Sequence, residues 1–172
     1  MDAYIPVLGK IDEKKEELFT RKIKLLNSPL DRLVVFIHSQ GGEANVASRV
    51  NYEVDNLFHQ TIVFGGNVSS AAAIIFAAFE KRFAFKDSMF LIHPCIPPKG
   101  MERLEVFDKF DKEVWNFMSK RMKISYSDLA ILAKKDQKIS AEYALEIGLV
   151  EKVFDSSYMK HKEILKKEGL VL

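Results

Sequence analysis

Short apolar runs alternate along this chain with longer segments in which apolar residues recur every three or four positions. The run "YIPVLG" (4–9) reads as a first strand, and residues 12–28 as a helix with Leu18, Ile23 and Leu25 among its apolar positions. "RLVVFIHS" (32–39) is continuously apolar, as expected of a strand buried on both faces. Val46, Val50, Val54 and Leu57 then mark a helix over 44–58. The pattern repeats as strand 61–66, helix 69–79 and strands 82–86 and 88–94.

From 101 to 123 the spacing of Leu104, Phe107, Phe110, Val114, Phe117 and Met118 predicts one long amphipathic helix, with charges including Asp108 and Asp111 on its solvated side. Shorter helices are expected over 125–135 and from an N-cap at Ser140 to a stop at Gly148. A strand over 150–154 and a basic, exposed helical tail complete the pattern. Strands alternating with helices are the mark of crossover units on a mainly parallel sheet, hence an α/β fold.

At 172 residues the chain suits one domain. A formal net charge of +2 is too small to call for nucleic acid or an acidic membrane surface. A single cysteine, Cys95, excludes an internal disulfide and a multi-cysteine zinc site. No early apolar run is long enough for a signal peptide or membrane span, so a cytoplasmic protein is expected.

The stretch "FGGNVSSAAAII" (64–75) sets two glycines and two serines between an apolar run and a row of alanines. Either Ser69 or Ser70 caps a helix, or one of them is a nucleophile displayed at the helix start, where negative charge is favoured. Spacing does not separate the two hydroxyls. Ala71, Ala72 and Ala73 let the helix pack closely and leave room above the serine. His93, at the end of a strand, is either a carbonyl cap or a general base, and His38 before "SQGG" holds a weaker claim to the same role. Asp136, in the polar turn "KKDQK", is either solvated or an orienting acid. Gly41 and Gly42 form either a tight turn or an oxyanion hole reached through unobstructed amides.

Four ordered motifs resemble the proteolytic subunit of the Clp protease, in the ClpP/crotonase superfamily: "HSQGG" at 38–42, Gly66 to Ala73, "LIHP" ending on His93 and Pro94, and "KDQKISAEYALEIGLV" from 135. The resemblance spans about residues 3–154. It implies repeated β-β-α spiral units, a mainly parallel sheet and a protruding long helix, the handle, at about 97–134, in a single domain over 1–154 with a basic tail over 155–172. It also implies a serine endopeptidase with Ser70 as nucleophile, His93 as base, Asp136 as acid, and the amides of Gly42 and Ala71 as oxyanion donors. No metal or other cofactor is expected. The implied partners are a peptide or unfolded protein substrate and identical subunits in a homo-oligomeric ring.

Departures temper the resemblance. Gln40 replaces the family's proline, and "CIPPKG" (95–100) replaces a glycine-rich segment that docks substrate by strand addition. The chain opens almost at its first strand, so tight dependence on an AAA+ unfoldase is not expected. Competing readings are a crotonase-like acyl-CoA enzyme, a non-catalytic ring subunit, and a serine-lysine dyad peptidase using Lys99 or Lys109.

Overall fold

The computed structural model describes residues 2–155, and the expected tail helix lies outside them. Strands β1 (Asp2–Ile11), β2 (Arg32–Gly42), β3 (Gln60–Ser69), β4 (Lys81–Phe85), β5 (Met89–Leu91), β6 (Ile139–Ser140) and β7 (Lys152–Phe154) alternate with helices α1 (Glu13–Ile23), α2 (Ala44–Asp55), α3 (Ala71–Ala77), α4 (Glu105–Arg121), α5 (Tyr126–Lys134) and α6 (Ala141–Glu146). The sheet runs β1-β2-β3-β4-β7, with β5 paired to β3 and β6 to β5. Every pairing is parallel except β5 with β6. This mixed α/β, mainly parallel architecture is the one the alternation of strand and helix patterns implied.

Strand alternation sends Ile5, Val7, Leu33, Val35, Ile37 and Val63 into a core shared with Phe19 of α1, Val50 of α2 and Phe76 of α3. Each such fully buried side chain contributes about 1.5–3 kcal/mol relative to exposure. The intervening positions Leu8, Phe36, Phe64, Phe85 and Phe154 form a separate cluster on the opposite face, where the rings of Phe64, Phe83 and Phe154 pack within 5.4–6.1 Å of one another.

Several boundaries differ from the expectations. Helix α1 stops at Ile23, before the segment "LLNSP", and its Asp12 cap accepts the Lys15 amide. The glycines of the two expected turns lie inside extended strands. β2 runs through Gly41 and Gly42, and a register shift against β1 lies between Leu8 and Lys10. Ser39 fastens this irregularity: its hydroxyl donates to Gly9 O at 2.5 Å and accepts the Gly41 amide at 3.0 Å. β3 likewise continues through Gly65 and Gly66, neither of which has positive φ. Gly65 is there for space, since a Cβ would fall 2.9 Å from the Phe76 ring.

The long helix begins at Glu105, four residues later than the sequence pattern suggested. Residues 94–104 instead form a strap over one side of α4. On the far side, buried Arg82 of β4 donates to Phe79 O (2.7 Å), Leu149 O (2.9 Å) and Arg121 O (2.9 Å), tying the end of α3, the turn before β7 and the end of α4 to the sheet. Burial lowers the affinity of this guanidinium for its proton.

Candidate active site

Three strand ends converge. Ser39 of β2 lies opposite Val68 of β3, and Val68 and Ser69 lie opposite Phe90 and Leu91 of β5. Gly42, Ser70 and His93 follow at the carboxyl ends of these three neighbours, where parallel sheets open crevices for ligands.

β3 passes into α3 through one residue. Ser70 has φ 58° and ψ −127°, a conformation that costs a residue with a side chain about 1–3 kcal/mol. Two backbone hydrogen bonds hold it there: its amide donates to Leu91 O at 2.8 Å, and its carbonyl accepts the Ala73 amide at 2.8 Å. Its hydroxyl makes no capping bond to the helix that it precedes. The simple cap reading therefore does not describe Ser70. Ser69, by contrast, is buried in the strand end.

Ser70 opens into a cleft of about 660 Å³ between the strand ends and α4. Gly42, Ala71 and His93 line it beside Ser70, and Ile74, Ile92, Phe107, Phe110, Val114 and Trp115 make its walls mostly apolar. The apolar side of α4 that the sequence pattern picked out thus faces this cleft.

Ser70 and His93 share the cleft without a hydrogen bond between them. The His93 ring turns its Nδ1 to Pro94 O, 2.7 Å away. Asp136 lies in the exposed turn after α5, with φ 49° and its amide donating to Ala133 O at 3.2 Å. Among the described residues it forms no hydrogen bond or ion pair with His93. His38 is engaged elsewhere, its Nδ1 accepting the Asn67 amide at 3.2 Å across β2 and β3.

Asp111 overturns an expectation. The spacing of α4 assigned it to the solvated side together with Asp108, yet it is 4% exposed and lines the cleft. The strap explains the burial. Asp111 Oδ1 accepts the Cys95 amide at 2.7 Å, and Oδ2 accepts Arg103 Nη2 at 2.5 Å. Arg103 also donates to Cys95 O at 2.5 Å and to Asp108 Oδ1 at 2.8 Å. Burial, and then the nearby Asp111 carboxylate, push the Cys95 thiol up from its ordinary value. Helical periodicity assigns a face but carries no sign that the segment leading into the helix folds back over it. The one available signal was Arg103, a cation eight residues before Asp111 and at the edge of a proline-containing segment.

Among the described residues no cluster of three histidine, cysteine or acidic side chains forms a metal-ligand set. Nor is any helix among them long and apolar enough to cross a membrane.

Solved structures with similar folds include ClpP1 from Listeria monocytogenes, at TM-score 0.79 and 22% identity, covering 96% of this chain and 93% of that one. A point mutant of the same protein aligns at TM-score 0.81 and 22% identity, covering 90% and 92%. No curated protein matches the sequence. The sequence model of the Clp protease family matches residues 1–157, so this chain belongs to the Clp protease family of peptidases.

Proposed function

We propose that the protein is a serine endopeptidase that cleaves peptides or unfolded protein segments at this cleft, with Ser70 as nucleophile and His93 as base. The observation that carries the reading is Ser70 itself: a strained residue at a strand-to-helix turn, its hydroxyl unused by the helix, in a cleft that also holds a histidine. Strain at a residue that the surrounding backbone over-determines is common at reactive sites.

In the proposed reaction Ser70 Oγ bonds to the substrate carbonyl carbon while its proton passes to His93 Nε2. The oxyanion is met by the amides of Gly42 and Ala71, two residues that line the cleft together with Ser70. Collapse breaks the C–N bond, and the amine leaves with the proton from His93. Water then adds to the acyl-serine, giving its proton to His93, and the carboxylate departs as Ser70 recovers its hydrogen. An apolar substrate side chain suits the walls formed by Phe107, Phe110 and Trp115.

Asp136 is the acid that the family resemblance assigns. It would have to approach His93 by closure of the turn after α5, on substrate binding or subunit assembly. The working form is proposed to be a homo-oligomeric ring that hydrolyses peptides without tight coupling to an AAA+ unfoldase. Exposed Leu104, Val106 and Ile131 on the strap, α4 and α5 suit subunit contacts.

The test is fluorophosphonate labelling of the full chain, read by intact mass and peptide mapping. One adduct per chain at Ser70, absent from Ser70→Ala, is expected. A folded oligomer that takes no label at Ser70 would sink the reading.

A further inference from the structure

We infer that Asp111 orients His93 through the Pro94–Cys95 peptide, acting as a positioning residue for the proposed base; the inference rests on the serine peptidase reading. Two hydrogen bonds share that one peptide unit. Its N–H, on Cys95, donates to Asp111 Oδ1 at 2.7 Å, and its C=O, on Pro94, meets His93 Nδ1 at 2.7 Å.

The peptide is planar and trans, so fixing the direction of its N–H fixes the direction of its C=O. Asp111 can hold that direction firmly. It is 4% exposed and projects from the middle of α4, with its second oxygen bound by Arg103. A carbonyl can only accept, so His93 carries its proton on Nδ1. Its Nε2 is then left with the lone pair that a general base for Ser70 requires.

The carboxylate also polarises the bond it orients. A peptide unit has a dipole of about 3.5 D, and negative charge at its N–H end makes the carbonyl oxygen a stronger acceptor. Carboxylate and peptide thus set the ring's tautomer in the open cleft, before Asp136 approaches to take over the Nδ1–H by direct contact. Asp111 has two donors to satisfy, one at each oxygen. Asparagine in its place would turn an NH2 donor toward one of those two donors and leave it without an acceptor. The arrangement also links the strap to the chemistry, because Arg103 holds both Asp111 and the Cys95 carbonyl.

The test compares the wild-type full chain with Asp111→Ala, Cys95→Pro and Asp136→Ala. Two readouts are used: the rate of fluorophosphonate labelling at Ser70, and the tautomer of His93 by long-range proton–nitrogen NMR, with the His93 signals assigned by their loss in His93→Gln. Cys95→Pro deletes the same hydrogen bond from the backbone side and leaves Asp111 and Arg103 in place. It also serves if Asp111→Ala does not fold.

In the wild type the His93 proton is expected on Nδ1. In Asp111→Ala and Cys95→Pro it redistributes toward Nε2, and labelling slows ten-fold or more. A purely structural Asp111 would change the melting temperature and leave the tautomer alone. Folded variants that keep the wild-type tautomer and labelling rate would overturn the inference. So would a tautomer that moves in Asp136→Ala and stays fixed in Asp111→Ala. If the wild type takes no label at Ser70, the peptidase reading fails by itself, and the tautomer still decides whether Asp111 holds the ring.

Discussion

Gly41 is pressed against Ser70: a Cβ built on Gly41 would lie 2.6 Å from the Ser70 Cβ and 3.1 Å from its hydroxyl oxygen. Gly41 also has φ +98°, so two independent constraints reserve the position for glycine. Gly41→Ala is expected to cost about 2–4 kcal/mol through strain and overpacking. It should also displace Ser70. Urea unfolding together with labelling checks both effects, and a variant as stable and as reactive as wild type would contradict this packing.

Ser70→Ala and His93→Ala are expected to abolish peptide turnover. Because the Ser70 hydroxyl makes no cap bond, Ser70→Ala should change stability by only about 0.5 kcal/mol, whereas Ser70→Gly should stabilise the fold by about 1 kcal/mol through relief of the positive φ. Ser69→Ala should remain reactive. Loss of labelling in a folded Ser69→Ala protein would mean that the nucleophile is the neighbouring hydroxyl.

Arg82→Leu removes the donor that four backbone carbonyls share, those of Phe79, Arg121, Gly148 and Leu149, and is expected to cost about 3–5 kcal/mol. The loss should appear as a lower urea midpoint. A shift below about 1 kcal/mol would mean that solvent replaces the guanidinium.

Cys95 lines the cleft, and its thiol is pushed up, first by burial and then by Asp111. Only the thiolate reacts, so iodoacetamide should modify it more slowly than a free thiol at neutral pH, with the rate climbing as alkali deprotonates it. Once alkylated, the cleft should admit the fluorophosphonate poorly. Rapid alkylation at neutral pH would be inconsistent with this environment.

Ring assembly predicts a particle several times the mass of one chain in multi-angle light scattering at micromolar concentration. Ile131→Lys, placing charge on an exposed apolar position of α5, should reduce that mass. A monomeric wild type would rule out the ring.

Local physics made much of this protein legible from its sequence. Alternation with period two and recurrence at three and four positions located nearly every strand and helix, because burial on one face imposes those periods on any chain. Crossover order implied the parallel sheet, and the sheet implied a crevice at the ends of the strands carrying Gly42, Ser70 and His93. Tertiary structure decided what periodicity does not encode. Gly65 and Gly66 read as a turn, but Gly65 sits under the Phe76 ring inside a strand, a close approach fixed by a residue eleven positions away. Asp111 read as solvated because a helical wheel knows only its own helix, and a strap led by Cys95 and Arg103 folds over it. Asp136 and His93 are joined by motif order, but their contact depends on how a turn after α5 stands relative to the end of β5, a distance set by packing between elements far apart in the chain.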